Sequence, residues 1–162
     1  MGIWFAIILV TLVVVGSVVW IRPSPRDQKL AKWRRDAIVA GMKVRMQTLK
    51  AEPKNSGIRD DVSGVTYEWF NPQSDKKDTS SWAVVKTQGW LTDHLPEGWS
   101  WYNEIPANVE AQKINEIINA APYALNALER TPISSRIIWD ENGAEFDAQV
   151  LKAYLQQLQA IS

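Results

Sequence analysis

One imidazole, that of His94, serves a chain of 162 residues. It stands in Asp93-His94-Leu95-Pro96, where general acid–base work would need an orienting carboxylate set opposite the ring, and Asp93 is only its neighbour in sequence. The turn residues around it point to a solvated loop histidine. A lone histidine cannot build a three-ligand zinc site without carboxylates that no motif here specifies. The lack of cysteine removes thiolate metal sites, iron–sulfur clusters, disulfides and cysteine nucleophiles. Asp60-Asp61 and Asp140-Glu141 carry the charge that a hard cation requires, but neither pair supplies the alternating oxygens, central glycine and terminal glutamate of an EF-hand loop. Solvation in loops accounts for both. G-x-S-x-G, G-x-x-x-x-G-K-[ST] and G-x-G-x-x-G are absent, so hydrolase, nucleoside-triphosphatase and dinucleotide chemistries lack their geometric parts. The residues imply no catalytic group, no metal and no cofactor, and the chain reads as a non-enzyme.

Nine tryptophans are the unusual feature. Trp4 and Trp20 bracket an apolar run, which leaves Trp33, Trp69, Trp82, Trp90, Trp99, Trp101 and Trp139 for the rest of the chain. Core packing is the leading account of them. The functional account is an exposed aromatic patch made by Trp90, Trp99, Trp101 and Tyr102, of the kind that anchors a protein partner. Alternation along a strand would put the Trp99 and Trp101 indoles on one face and Tyr102 on the other.

Residues 3–21 form an apolar run without a charge, long enough as a helix to match a bilayer's hydrocarbon core at about 1.5 Å per residue. A buried core helix and a cleaved signal peptide compete with a transmembrane span; the signal peptide lacks its basic start and its small-residue cleavage site. No Lys or Arg precedes the run, whereas Arg22, Arg26, Lys29, Lys32, Arg34 and Arg35 follow it. That asymmetry orients a span with its N-terminus outside and its C-terminal domain in the cytoplasm. Residues 22–50 hold nine basic and two acidic residues, net +7, and residues 51–162 hold nine basic and sixteen acidic, net −7. Arg26, Lys29, Lys32 and Arg35 are therefore expected to face anionic lipid headgroups. The acidic remainder disfavours nucleic acid.

Ser24-Pro25-Arg26-Asp27 has the pattern of a capping box with proline at the first helical position, and Gly41 is placed to end the helix it opens. Residues 43–50 alternate apolar and polar, which predicts a half-buried strand, and residues 52–64 read as a loop. Further strands are expected at 65–70 and 82–87, joined by a hairpin loop over 71–81, and at 99–102 and 136–140. Residues 123–129 are ambiguous, because alanine and leucine favour helix. Helices are expected over 107–120 and 144–161. These elements predict an α+β fold: an N-terminal transmembrane helix at 1–21, a basic helix at 22–41, and an acidic domain at 42–162 in which helices cover a largely antiparallel sheet.

The order of an N-terminal apolar helix, Ile21-Arg22-Pro23, and a basic helix running into Gly41-Met42-Lys43-Val44 resembles the YajC family of single-pass accessory subunits of the bacterial Sec translocase, over residues 3–46. After Met46 the family's G-G-x-x-G-x-V is absent and the chain continues in a different pattern. The resemblance implies a bacterial inner-membrane protein that works beside a larger membrane protein complex. The expected function is accordingly that of an accessory or scaffold subunit that binds or stabilises such a complex. A membrane-tethered ligand-binding or enzymatic domain is the alternative, favoured if carboxylates converge in a cleft around His94.

Overall fold

In the computed structural model, the described residues are 2–19, 23–73, 79–106, 110–143 and 145–161. The chain divides into two units, Met1–Lys32 and Trp33–Ser162. Helix α1 occupies Gly2–Val19. Among the described residues no helix is long and apolar enough to cross a membrane, which overturns the expected transmembrane span. The 18 residues of α1 rise about 27 Å, short of a ~30 Å hydrocarbon layer. Trp20, Ile21 and Arg22, on which the far end of the span depended, lie outside the described residues. The single-pass assignment, the outward N-terminus and the inner-membrane location with a cytoplasmic domain fall with it.

Helix α2, Pro25–Val39, starts where the capping box placed it. The Asp27 N–H donates to Ser24 Oγ at 3.1 Å, and the Ser24 N–H donates to the Asp27 carboxylate at 3.1 Å. At the other end Gly41 has φ +89°, and the N–H groups of Gly41 and Met42 close onto the carbonyls of Ile38 and Ala37, each at 3.0 Å. That pairing of backbone groups is a Schellman motif. Trp33, Ala37 and Ala40, spaced one helical turn apart, form the buried stripe.

Six strands follow: β1 (Lys43–Leu49), β2 (Val62–Phe70), β3 (Trp82–Val85), β4 (Ser100–Trp101), β5 (Leu125–Arg130) and β6 (Ser134–Trp139). They make one antiparallel sheet in the order β1-β2-β6-β5-β3-β4. The expected hairpin between β2 and β3 is not formed, since β2 lies between β1 and β6 while β3 lies between β5 and β4. Residues 74–78 of its supposed loop are outside the described residues. The tight hairpin is instead β5–β6, where the Thr131 N–H donates to the Ser134 carbonyl at 2.8 Å. β5 is a strand despite its helix-forming residues because both its faces are covered: Leu125, Ala127, Leu128 and Arg130 are all buried. Tertiary burial outweighs a propensity difference of a few tenths of a kcal/mol per residue.

Two helices complete the fold, α3 (Ala111–Asn119) and α4 (Ala148–Gln159). Asp147 caps α4, accepting from the Gln149 and Val150 N–H groups at 2.8 and 3.3 Å. The Ser135 hydroxyl of β6 donates to the Leu155 carbonyl of α4 at 2.7 Å, and the Tyr154 hydroxyl donates to the Ile117 carbonyl of α3 at 2.9 Å. One sheet face thus carries the helices. On the other, Leu49, Val62, Val85, Ala127 and Ile138 pack with Ile58, and Tyr102 closes over them.

Candidate partner-binding surface

Among the described residues from Trp33 onward, Trp90 is the most exposed tryptophan. It is 68% exposed, yet it is firmly seated. Its backbone N–H donates to the Ser56 carbonyl at 2.7 Å, and its indole lies over Gly57, where a Cβ would stand 2.6 Å from the ring. Gly57 also has φ +76°, a backbone that side chains other than glycine's rarely adopt. Gly89 allows the same approach from the other segment, since a Cβ there would meet the Ser56 carbonyl at 2.7 Å. Arg59, Asp60 and Gln88 line a shallow recess of about 370 Å³ beside the ring.

The other three residues of the expected patch lie elsewhere. Trp101 is fully buried and Trp99 nearly so. The Trp101 ring meets Trp82 edge-on with centroids 6.4 Å apart, and its indole N–H donates to the Asp93 carbonyl at 3.2 Å. Tyr102 is half-buried, with its hydroxyl donating to the Lys50 carbonyl at 2.9 Å. Of the four, Trp90 alone presents most of its side chain to the surroundings. Arg26, Lys29, Lys32 and Arg35 are all exposed on α2. His94 sits exposed in the turn ending at Leu95, with a left-handed φ of 62°. Among the described residues no group of three or more His, Asp or Glu side chains is placed to hold a metal ion.

Glu141, expected as a solvated loop carboxylate, is instead buried. It takes a left-handed φ of 54°, accepts Arg34 Nε–H at 2.9 Å and the Tyr67 hydroxyl at 2.6 Å, and forms a second bond with Arg34 Nη2. The hydrogen bond to Glu141 raises the Arg34 guanidinium further above its ordinary range. Burial, followed by the same carboxylate, pushes the Tyr67 hydroxyl up. Around this group Trp33, Tyr67, Tyr123, Trp139 and Phe146 form an aromatic nest, with Trp33 and Trp139 stacked at 6.2 Å and Tyr123 against Trp139 at 4.5 Å. The arrangement ties the part of α2 from Trp33 onward to β2 and β6.

On the sheet face away from the helices a row of charge crosses four strands. Arg45 of β1 approaches Glu68 of β2 at 3.4 Å, Glu68 lies 4.0 Å from Arg136 of β6, and Arg136 is bonded to Glu129 of β5. The Ser134 hydroxyl donates to Glu68 at 2.9 Å. Arg136 and Glu129, with Gln47, Tyr102, Asn103 and Glu104, line a cavity of about 290 Å³. At the end of β1, Lys50 and Asp61 pair at 2.8 Å. That bond raises the Lys50 ammonium, and it lowers the Asp61 carboxyl, with the Ala51 N–H assisting. Sequence reasoning passed over this row and the Glu141 group. The available signal for the row was charge inside otherwise apolar strands, as at Glu68 and Arg136.

Compared with family models, with curated proteins and with solved structures, the chain matches none.

Proposed function

We propose that residues 33–162 form a non-catalytic binding domain, an accessory or scaffold module that attaches to a larger protein assembly through the surface bearing Trp90. One observation carries the reading: a tryptophan 68% exposed is held rigidly by a backbone hydrogen bond and by a glycine beneath its ring. Leaving such a surface in water is unfavourable by about 25 cal/mol per Å², and rigid aromatic anchors are what interface hot spots use. The resemblance of residues 3–46 to the YajC family supports an accessory role of the same kind. A small-molecule-binding domain is the second reading, favoured by the 290 Å³ cavity with Arg136, Glu129 and Glu104 in its lining.

A photo-cross-linking residue at Gln88, next to the indole, tests the first reading in the cells that make the protein. A discrete adduct is expected, and Trp90→Ala should reduce it by about tenfold or more without lowering the melting temperature. No adduct, or one indifferent to Trp90, would refute it.

A further inference from the structure

We propose that the open edge of β1 is a second docking site, which takes an extended segment of a partner protein with acidic and apolar residues in alternation and adds it to the sheet as a seventh strand. The proposal rests on the reading of the domain as a binding module, but not on Trp90.

The sheet has two edges, and they differ. β4 is two residues long, whereas β1 runs for seven and pairs with β2 in unbroken register from Lys43↔Glu68 to Leu49↔Val62. β1 contains no proline and no bulge, two of the devices that blunt an edge; it does carry charge, Lys43 and Arg45, which discourages uncharged or basic strands and leaves acidic ones welcome. Its peptide groups alternate in direction, so about half of them point away from β2 and can accept a further strand.

Side chains on the same strand are incompletely satisfied. Arg45 Nε and Gln47 Oε1, two residues apart on one face, are a buried donor and a buried acceptor without a hydrogen-bond partner. Native structures rarely leave such atoms unpaired. Arg45 is 39% exposed and held to Glu68 only by a 3.4 Å contact, so its guanidinium can turn to a carboxylate arriving at the edge.

Charge selects the occupant. Residues 33–50 carry five basic residues and one acidic, while residues 51–162 carry nine basic and sixteen acidic. The basic edge of an acidic domain favours an acidic segment. A second copy of this chain lacks the acidic partner, since full antiparallel β1–β1 pairing sets Lys43 opposite Leu49 and Arg45 opposite Gln47 and leaves the basic charge of both strands uncompensated. The other face of β1 asks for apolar residues: Met46 is 81% exposed there, beside half-buried Val44. Positions opposite Lys43 and Arg45 therefore suit glutamate or aspartate, and those opposite Val44 and Met46 suit valine or leucine, as in strand addition generally.

The test uses the full-length chain and a fluorescent, end-capped nonapeptide of alternating glutamate and valine. Saturable binding is expected, accompanied by slowed amide hydrogen exchange in β1. Replacing the glutamates by lysines, or N-methylating the amides along one edge of the peptide, should weaken binding by about tenfold or more, while N-methylation along the other edge leaves it intact. Lys43→Glu should weaken the glutamate peptide and strengthen the lysine one. No saturable binding at millimolar peptide, binding indifferent to N-methylation, or a dimer of the chain that slows β1 exchange by itself would overturn the proposal. Trp90→Ala separates the two readings. If the peptide fails while the Trp90-dependent cross-link persists, the edge is not a site and the Trp90 surface stands; if the peptide binds and the cross-link is absent, the edge is a site and the Trp90 surface is not.

Discussion

Replacing Glu141 by glutamine removes one charge and almost no volume from the group that joins α2 to the sheet. The carboxylate is buried and accepts two bonds from Arg34 and one from Tyr67. Breaking a fully buried ion pair costs about 3 to 5 kcal/mol, and an exposed one contributes about 0.2 to 1. Arg34 is 40% exposed and regains some hydration, so its loss falls between those limits, while the Tyr67 hydroxyl keeps an amide oxygen to donate to. The expected destabilisation is about 2 kcal/mol, a fall in melting temperature of roughly 6 to 10 °C for a unit of this size. Urea denaturation of the wild type, Arg34→Met, Glu141→Gln and the double variant should give a coupling energy of about 1 to 2 kcal/mol. Glu141→Gly serves as the control for backbone strain. It would relieve about 1 to 2 kcal/mol at a left-handed position but leaves the buried Tyr67 hydroxyl without an acceptor, a penalty of about 1 to 3 kcal/mol, and so should not stabilise. A loss below about 0.5 kcal/mol in the glutamine variant, or a glycine variant more stable than wild type by about 1 kcal/mol, would refute the reasoning.

Trp101→Ala should cost about 3 to 5 kcal/mol in chemical denaturation, since it empties a core site, whereas Trp90→Ala should stay within about 0.5 kcal/mol of wild type. Gly57→Ala should cost about 1 to 2 kcal/mol from its positive φ alone and displace the indole above it, seen as a change in tryptophan emission and a loss of the Gln88 cross-link. All four tyrosines have hydroxyls raised above their ordinary value, with burial the largest cause in each. Because the folded state holds these protons more tightly, their contribution is complete below about pH 10 and declines as the pH rises through the folded values. Absorbance at 295 nm should therefore show less tyrosinate in the folded protein at pH 10 than in the urea-unfolded chain at the same pH. Asp147→Ala should cost about 1 kcal/mol by uncapping α4.

Local signals in the sequence were read well where one turn of chain decides the outcome. Ser24, Asp27 and Gly41 fix both ends of α2 through bonds spanning no more than five residues, and alternation from Lys43 to Leu49 marks β1. Strand order was not legible, because which strand lies beside β2 depends on burial that no short window contains. The start of β2 at Val62 rather than Val65 has the same origin: Gly64 allows close approach to β6, where a Cβ would meet the Trp139 carbonyl at 2.7 Å. Glu141 was misread for a related reason, since Arg34 lies 107 residues away in sequence. The aromatic patch was legible only in part. Trp90 follows a glycine in a loop, but nothing in Trp99-Ser100-Trp101 tells that both indoles face inward.

The row of charge across the sheet also acts as a key to strand order. Its signs alternate from β1 to β5 as Arg45, Glu68, Arg136, Glu129, and the direct register pairs Glu68 with Arg136 and Arg136 with Glu129. Exchanging the places of β6 and β5 would set Glu68 beside Glu129, and a β5 slipped by two residues would offer Arg136 an apolar side chain on this face. Apolar residues such as Val65, Leu128 and Ile137 would tolerate either error, as one branched side chain packs much like another. Discrimination between the correct sheet and its near relatives therefore falls to one buried charge and three partly covered ones, and it should weaken as salt is added during refolding, even where the finished fold is little affected.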